Sequence, residues 1–195
     1  LDAKLDYWRI LNKKSNLNFT LGTIFSQQKF NSNIFQFLDD GSQYDSSPSD
    51  ISDINSIDYK FTDLYLGLHY RLKTGIFTIT PGISGHAYNV NNTQFGQETT
   101  DNFFRFLPDL NVIIQLKKSE TLNLNYRMQT QFTDVSNFAS GLVLNNYNSL
   151  FSGNPYLENA LSHNVSLFYY SFNMFNYTNV FASLNYNKSI DNIRT

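Results

Sequence analysis

The chain has no cysteine, one tryptophan, four prolines and nine glycines, and only 15% of its 195 residues are charged. Without cysteine there are no disulfides, no thiolate nucleophile and no Cys-based zinc site. The 14 Lys and Arg against 16 Asp and Glu leave a net charge of −2, which argues against a nucleic-acid partner. No apolar run approaches the roughly 18 residues of a membrane helix, so any crossing of a bilayer must use strands closed into a barrel. No signal-peptide pattern precedes Leu1, which already lies in a strand pattern, so export is inferred from the strands and not from a targeting segment.

What is present is aromatic and polar. Hydrophobic residues make up 41% of the chain, yet 16% is aromatic, with 18 Phe and 13 Tyr. Such a balance suits a transmembrane barrel, whose lumen is polar and whose rims carry aromatic girdles. The stretch 105–131 carries the clearest pattern. Phe106, Pro108, Leu110, Val112, Ile114 and Leu116 share one face, opposite Asp109, Asn111, Ile113 and Gln115. After a polar turn at Lys117-Lys118-Ser119-Glu120, Leu122, Leu124, Tyr126 and Met128 oppose Asn123, Asn125, Arg127 and Gln129. Side chains alternate with period two along a strand, so this is a β-hairpin with one apolar and one polar face. Each arm is long enough for the roughly 9–11 residues that a tilted strand needs to cross a bilayer.

The same alternation recurs along the chain. It runs from Leu1 to Ile10, from Leu17 to Phe25, from Tyr59 to Leu72, from Phe77 to Tyr88, from Asn164 to Tyr170 and from Asn179 to Asn187. Pro81 forfeits one ladder donor and weakens the fourth of these strands. Short turns are expected at 12–15, 73–75, 117–120 and 173–176. Long polar connections are expected at about 31–58, 89–102 and 132–161, the first acidic. Alternating short and long connections are the habit of outer-membrane barrels, with short periplasmic turns and longer extracellular loops. The expected fold is all-β: an antiparallel up-and-down transmembrane barrel, present as a partial barrel of about eight strands and forming part of a single barrel domain over residues 1–195. A short first connection and an even strand count put both chain ends on the extracellular side, so the chain reads as a piece of a larger barrel. The alternatives are a passive porin or adhesin-like barrel, or a soluble secreted β binding module.

From Phe106 onward the sequence resembles the barrel region of TonB-dependent receptors of the Bacteroidetes type. The resemblance rests on Leu107-Pro108-Asp109-Leu110, the Lys-Lys-Ser turn, and the strand Leu122-Asn123-Leu124-Asn125-Tyr126-Arg127. It continues through Gly153-Asn154-Pro155-Tyr156-Leu157-Glu158 to Ser162-His163-Asn164. The chain departs from the family at Gln131-Phe132, where an Arg-Pro step is usual, and at Asn159-Ala160, where a proline is usual. The resemblance implies import of a scarce nutrient, a plug domain that this stretch does not contain, and TonB acting through that plug. It also implies outer-membrane lipid around the barrel and a possible surface lipoprotein partner. Neither a cofactor nor an enzymatic activity is expected.

Candidate contact residues for a ligand lie in the lumen and the loops. His69, Arg71, His86 and Arg127 fall on the polar face, and His69 and His86 stand on neighbouring strands. Phe35, Phe37 and Tyr44 in the first long loop, with Tyr147, Phe151 and Tyr156 in the third, are aromatics suited to a barrel mouth. The three histidines lack metal-ligand spacing. His163 with Ser166 fails as a hydrolytic pair, because the two side chains leave the strand on opposite faces. Asp39, Asp40, Asp45, Asp50, Asp53 and Asp58 form an acidic run that lacks the Asp-x-Asn-x-Asn-Gly pattern of a calcium loop.

Overall fold

The computed structural model describes residues 1–34, 36–37, 39–44, 54–146, 148–155, 157, 159–173, 175 and 177–190, with only the backbone of 36, 37, 43 and 44. Among these described residues twelve strands form, in chain order. They are β1 (Asp2–Asn12), β2 (Ser15–Asn33), β3 (Gln36–Phe37), β4 (Gln43–Tyr44), β5 (Ile54–Thr74) and β6 (Phe77–Gln94), then β7 (Gln97–Lys117), β8 (Glu120–Gln131), β9 (Leu142–Asn146), β10 (Ser149–Ser152), β11 (Ala160–Asn173) and β12 (Thr178–Ser189). Eight of them make one antiparallel sheet in the order β1-β2-β5-β6-β7-β8-β11-β12. Among the described residues no ladder joins β1 to β12, so the sheet is open, as a partial barrel must be.

The ladder register joins the alternating residues into rows. Leu5, Leu21, Leu66, Gly85 and Phe106 make one such row; Val112, Leu124, Leu167 and Leu184 make another. These residues share one face, and the larger side chains on it are exposed or half-buried: Leu66 is 61%, Phe106 65% and Leu184 67% accessible, while Val112, Leu124 and Leu167 are half-buried. An apolar face left open to this degree needs lipid or protein over it. The facing row on the other side reads Trp8, Asn18, His69, Gly82, Asp109, Arg127, Asn164 and Asn187. Pro81 is accommodated by its neighbours. The β5–β6 pairing skips it, running to His69 with Gly82 and resuming at Leu72 with Ile79, while Pro81 still sits opposite Leu110 on β7.

One expected loop is strand instead, and the two ends of another are. The stretch 89–102 carries the ends of β6 and β7, closed by a two-residue turn in which Phe95 (φ 48) and Gly96 (φ 80) both take the left-handed conformation of a tight hairpin. The acidic connection likewise ends before Ile54, so Asp58 belongs to β5. The reason is a change of polarity along unbroken strands. The row Thr23–Leu64–Ala87–Phe104 closes the apolar outer face, and the next rows on that face are Phe25–Thr62–Asn89–Asn102, Gln27–Lys60–Asn91–Thr100 and Lys29–Asp58–Thr93–Glu98. Asn89 Nδ2 donates to Asn102 Oδ1 (2.6 Å), Asn91 bonds Glu98, and Gln27 Nε2 donates to Asp58 (2.8 Å). On the opposite face the apolar residues now appear: Phe30, Ile57, Tyr59, Phe61 and Val90. A run of amides and threonines looks like a loop, but here it is the wet side of a sheet.

The third long connection also folds. Asp134 caps a 3-10 helix, Val135–Phe138, by accepting from the Ser136 amide (2.9 Å) and hydroxyl (2.8 Å). The β9–β10 hairpin follows, and Gly153 then passes beneath the helix. A Cβ there would lie 2.2 Å from the Asn137 carbonyl oxygen, so only glycine fits. Gly153 N donates to Ala139 O and Asn154 N to Asn137 O, both at 2.8 Å. The segment packs onto the polar-side face of β5 and β6 through a core of Ile57, Tyr59, Val90, Phe138, Ala139, Val143 and Leu157.

Candidate functional site

Directly beside that core, toward the short turns, the polar face hollows into a cavity of about 510 Å³. Its wall is built from alternate residues of β5 (Asp63, Tyr65, Gly67, His69) and β6 (Ser84, His86, Tyr88), with Asp109 and Arg127 beyond. Phe61, Phe132 and Tyr88 close it on the side of the long connections. Phe132 meets Phe61 edge-on at 4.5 Å and Tyr88 at 5.3 Å.

Two histidine–aspartate pairs cross the strands. His86 Nδ1 lies 2.9 Å from Asp63 Oδ2, and the Asp63 side chain is only 6% exposed. A carboxylate that far from water needs a partner, because an unpaired buried charge costs several kcal/mol in round terms. The His86 ring is further held between Tyr65 and Tyr88, with centroids 5.2 and 5.5 Å away. His69 Nε2 reaches Asp109 Oδ1 at 3.0 Å, from β5 to β7 across the whole width of β6. It can do so only because the residue between is Gly82: a Cβ there would fall 2.2 Å from the His69 ring and 2.4 Å from the carboxylate. Gly22 does the same for Tyr65, whose ring would lie 2.4 Å from an added Cβ. His69 Nδ1 and Asn18 Nδ2 are buried without a partner among the described residues.

His86 Nε2 also lies 3.0 Å from Ser84 Oγ, which gives Ser84, His86 and Asp63 the connectivity of a hydrolytic triad. The setting does not complete one. Ser84 Oγ donates to the Leu107 carbonyl (3.3 Å), and Ser84 is paired on both sides, to Gly67 and to Leu107. Its hydroxyl and its backbone are therefore committed to the sheet.

Of the residues singled out from sequence, His69, His86 and Arg127 meet in this cavity. Arg71 lies in an adjoining hollow of about 310 Å³ with Trp8, Asn16 and Asn18, which His69 also lines. Phe151 packs against the apolar core. Phe35, Tyr147 and Tyr156 lie outside the described residues, as do the side chains of Phe37 and Tyr44. Of the acidic run, Asp45, Asp50 and Asp53 also lie outside them. Asp58 is taken up by Gln27 and, at 3.6 Å, by Lys29. The Gln27 amide holds its carboxyl below the ordinary carboxylate range, with Lys29 and Lys60 adding to that effect.

Asp63 and Ser84 stand on the polar face with Asp109, and none of the three is marked as a site residue by the alternation alone. The usable signal was register: once Tyr65 pairs His86, Asp63 falls beside Tyr88 and within reach of the ring. His163 is bonded to Tyr126 OH at 2.9 Å on the apolar face, away from the cavity.

No curated protein and no solved structure matches the chain. A family model does, over residues 1–195: the chain belongs to the outer membrane protein beta-barrel family.

Proposed function

We propose that this chain is part of the barrel wall of a TonB-dependent receptor that imports a scarce nutrient. The observation that carries the reading is the polar cavity on the lumen face, with its two His–Asp pairs beside the rings of Phe61, Tyr88 and Phe132. The motif order from Leu107 to Asn164 favours such a receptor over a passive porin. In this reading the wall does no chemistry and needs no cofactor. Loops capture the ligand, the lumen offers polar contacts, and a plug outside this stretch gates and receives TonB. Lipid covers the apolar face. A furrow of about 420 Å³ beside Gly85 and Ala87, walled by Leu64, Leu66, Phe104 and Phe106, accommodates an acyl chain. A surface lipoprotein is the further partner that this reading allows.

The test is depletion of nutrients from the medium by intact cells. Loss of the full-length gene should leave one class of nutrient unconsumed, and loss of TonB should leave the same class. A passive porin would show the first effect without the second.

A further inference from the structure

The ladder between β7 and β8 ends early. It runs from Lys117 with Glu120 to Asp109 with Arg127, although β7 extends to Gln97 and β8 to Gln131. Two features of the chain stop it. Pro108 brings no N–H to the position next to the last pair. Beyond Arg127, β8 turns inward: Met128, Gln129 and Thr130 line the cavity, and Phe132 packs on Phe61 of β5 and Tyr88 of β6. Residues 97–108 of β7 are thus paired to β6 alone among the described residues. The edges of β1 and β12 are open because the sheet is part of a larger barrel. The open edge of β7 lies inside the sheet, and its neighbour on that side, β8, has left it.

The free groups have a fixed order. Gln94 and Gln97 flank a two-residue turn, so they exchange hydrogen bonds, and antiparallel alternation carries that phase along β7. In keeping with it, Gln115 N donates to Ile76 O on the β6 side (2.8 Å). The odd-numbered residues of β7 therefore bond β6, and the N–H and C=O of Glu98, Thr100, Asn102, Phe104 and Phe106 point to the empty side. From 97 to 107 this edge has no lysine, proline or register shift, the usual guards against strand pairing. Its charges are also ordered. Glu98 and Asp101 lie near the hairpin tip, and Arg105 and Arg127 lie at the other end, where β8 rejoins. Among the described residues Arg127 has no ion pair and Arg105 Nε is buried without a partner, while the nearby Asp109 is taken up by His69.

We propose that the open edge of β7 binds a free oligopeptide, which adds to it as a parallel strand. The peptide ammonium lies toward Glu98 and Asp101, and its carboxylate toward Arg105 and Arg127. Main-chain hydrogen bonds at alternate residues hold such a strand whatever its side chains. From Glu98 to Arg105 the edge spans roughly 23 Å, at about 3.3 Å per residue, which suits a peptide of about seven residues. The proposal rests on the import reading, whose nutrient class it names.

The test uses the purified full-length protein in detergent, with a random mixture of heptapeptides, free at both ends, at millimolar total concentration. Hydrogen exchange is read at single amides of β7. Thr100, Asn102 and Phe104 should slow at least tenfold, and Thr99, Asp101 and Phe103, already bonded to β6, should slow far less. The same mixture with acetylated and amidated ends should protect several-fold less. Neither measurement needs a variant. Thr100→Pro then removes one free N–H and leaves the bonds to β6 in place, so it should abolish the protection. Heat-modifiable migration checks that this variant still assembles.

No slowing at the three even-numbered amides, or equal slowing at odd and even, would overturn the proposal. So would full protection by an assembled Thr100→Pro protein. Equal protection by the blocked mixture would overturn the free peptide as occupant and point to an internal segment of a partner protein. Depletion of peptides by cells that is unchanged on loss of TonB would remove the import reading and leave the exchange result standing.

Discussion

Two levels of the same four strands, β2, β5, β6 and β7, have opposite dress. Near the short turns, Leu21, Leu66 and Phe106 face outward, and Thr20, His69 and Asp109 face inward. Beyond the row Thr23–Leu64–Ala87–Phe104, Lys60, Asn91 and Thr100 face outward, and Ile57, Tyr59 and Val90 face inward. No register shift marks the change in these three ladders, because the backbone hydrogen bonds are the same in either setting. What differs is the solvent. The apolar span from Leu64 to Leu72 has about the length that a tilted strand needs to cross lipid. From Thr62 to Ile54 the strand continues for roughly 25 Å, at about 3.3 Å per residue, where the outside is wet and the inside has the folded segment 132–160 to pack against. Burial of Tyr59 under that segment pushes its phenol up to about 12.

The comparison can be broken from either level. Phe138→Ala removes the ring stacked on Tyr59 and should cost the folded segment 132–160 about 3–5 kcal/mol, the usual loss for a buried Phe. Protease nicking within 132–159 on intact cells should rise steeply while the barrel remains assembled. Below the border, Leu124→Arg puts a guanidinium on the lipid face and should cost about 2–4 kcal/mol, whereas Asn125→Arg faces the lumen and should cost little. Barrel assembly yield separates them, and the pair Ile114 and Gln115 should repeat the contrast. If both members of each pair are equally tolerated, neither face meets lipid.

A smaller effect is expected at Gly82→Ala. The added Cβ would push His69 off Asp109 and cost about 1–3 kcal/mol in a lost charged hydrogen bond and an unpaired partner. Unfolding of the assembled barrel in denaturant should show it, with Gly67→Ala, whose Cβ would meet nothing closer than 3.5 Å, as the mild control.

The smallest effect concerns Asp58, above the border. Its folded carboxyl sits below the ordinary value, so its bonding to Gln27 is present above about pH 4 and lost as pH falls further. Hydrogen exchange in β2 and β5 beyond Thr62 should quicken below that pH, after correction for the intrinsic rate. Asp58→Asn should abolish the pH dependence.

These levels also explain what could be read from sequence. Below the border, period-two alternation with lipid on one side gave every strand and its faces, so His69, His86 and Arg127 were assigned inward from pattern alone. Above it, 89–102 is rich in Asn and Thr on the outside, with Val90 inside, and such a stretch reads as a loop until the segment 132–160 supplies the apolar partner. That segment was illegible because its core is assembled from single residues, Phe138, Val143 and Leu157, with no common period. The His–Asp pairs were half legible: the histidines announce themselves, but Asp63 and Asp109 become partners only when the register is known. Gly153 appeared as part of a motif, and its reason, the Asn137 carbonyl above it, is tertiary.

Gly82 has a consequence for how the sheet keeps its alignment. A slip of β6 by two residues in either direction would preserve the inside–outside pattern, so polarity alone does not forbid it. Such a slip would bring Ser84 or Thr80 beneath the imidazole that spans from β5 to β7, and either side chain would obstruct the crossing. The bridge closes in one alignment only. A residue with no side chain thus acts as a keyway: the His69–Asp109 tie is the key, and β6 is locked against sliding between its neighbours by the gap it presents to them.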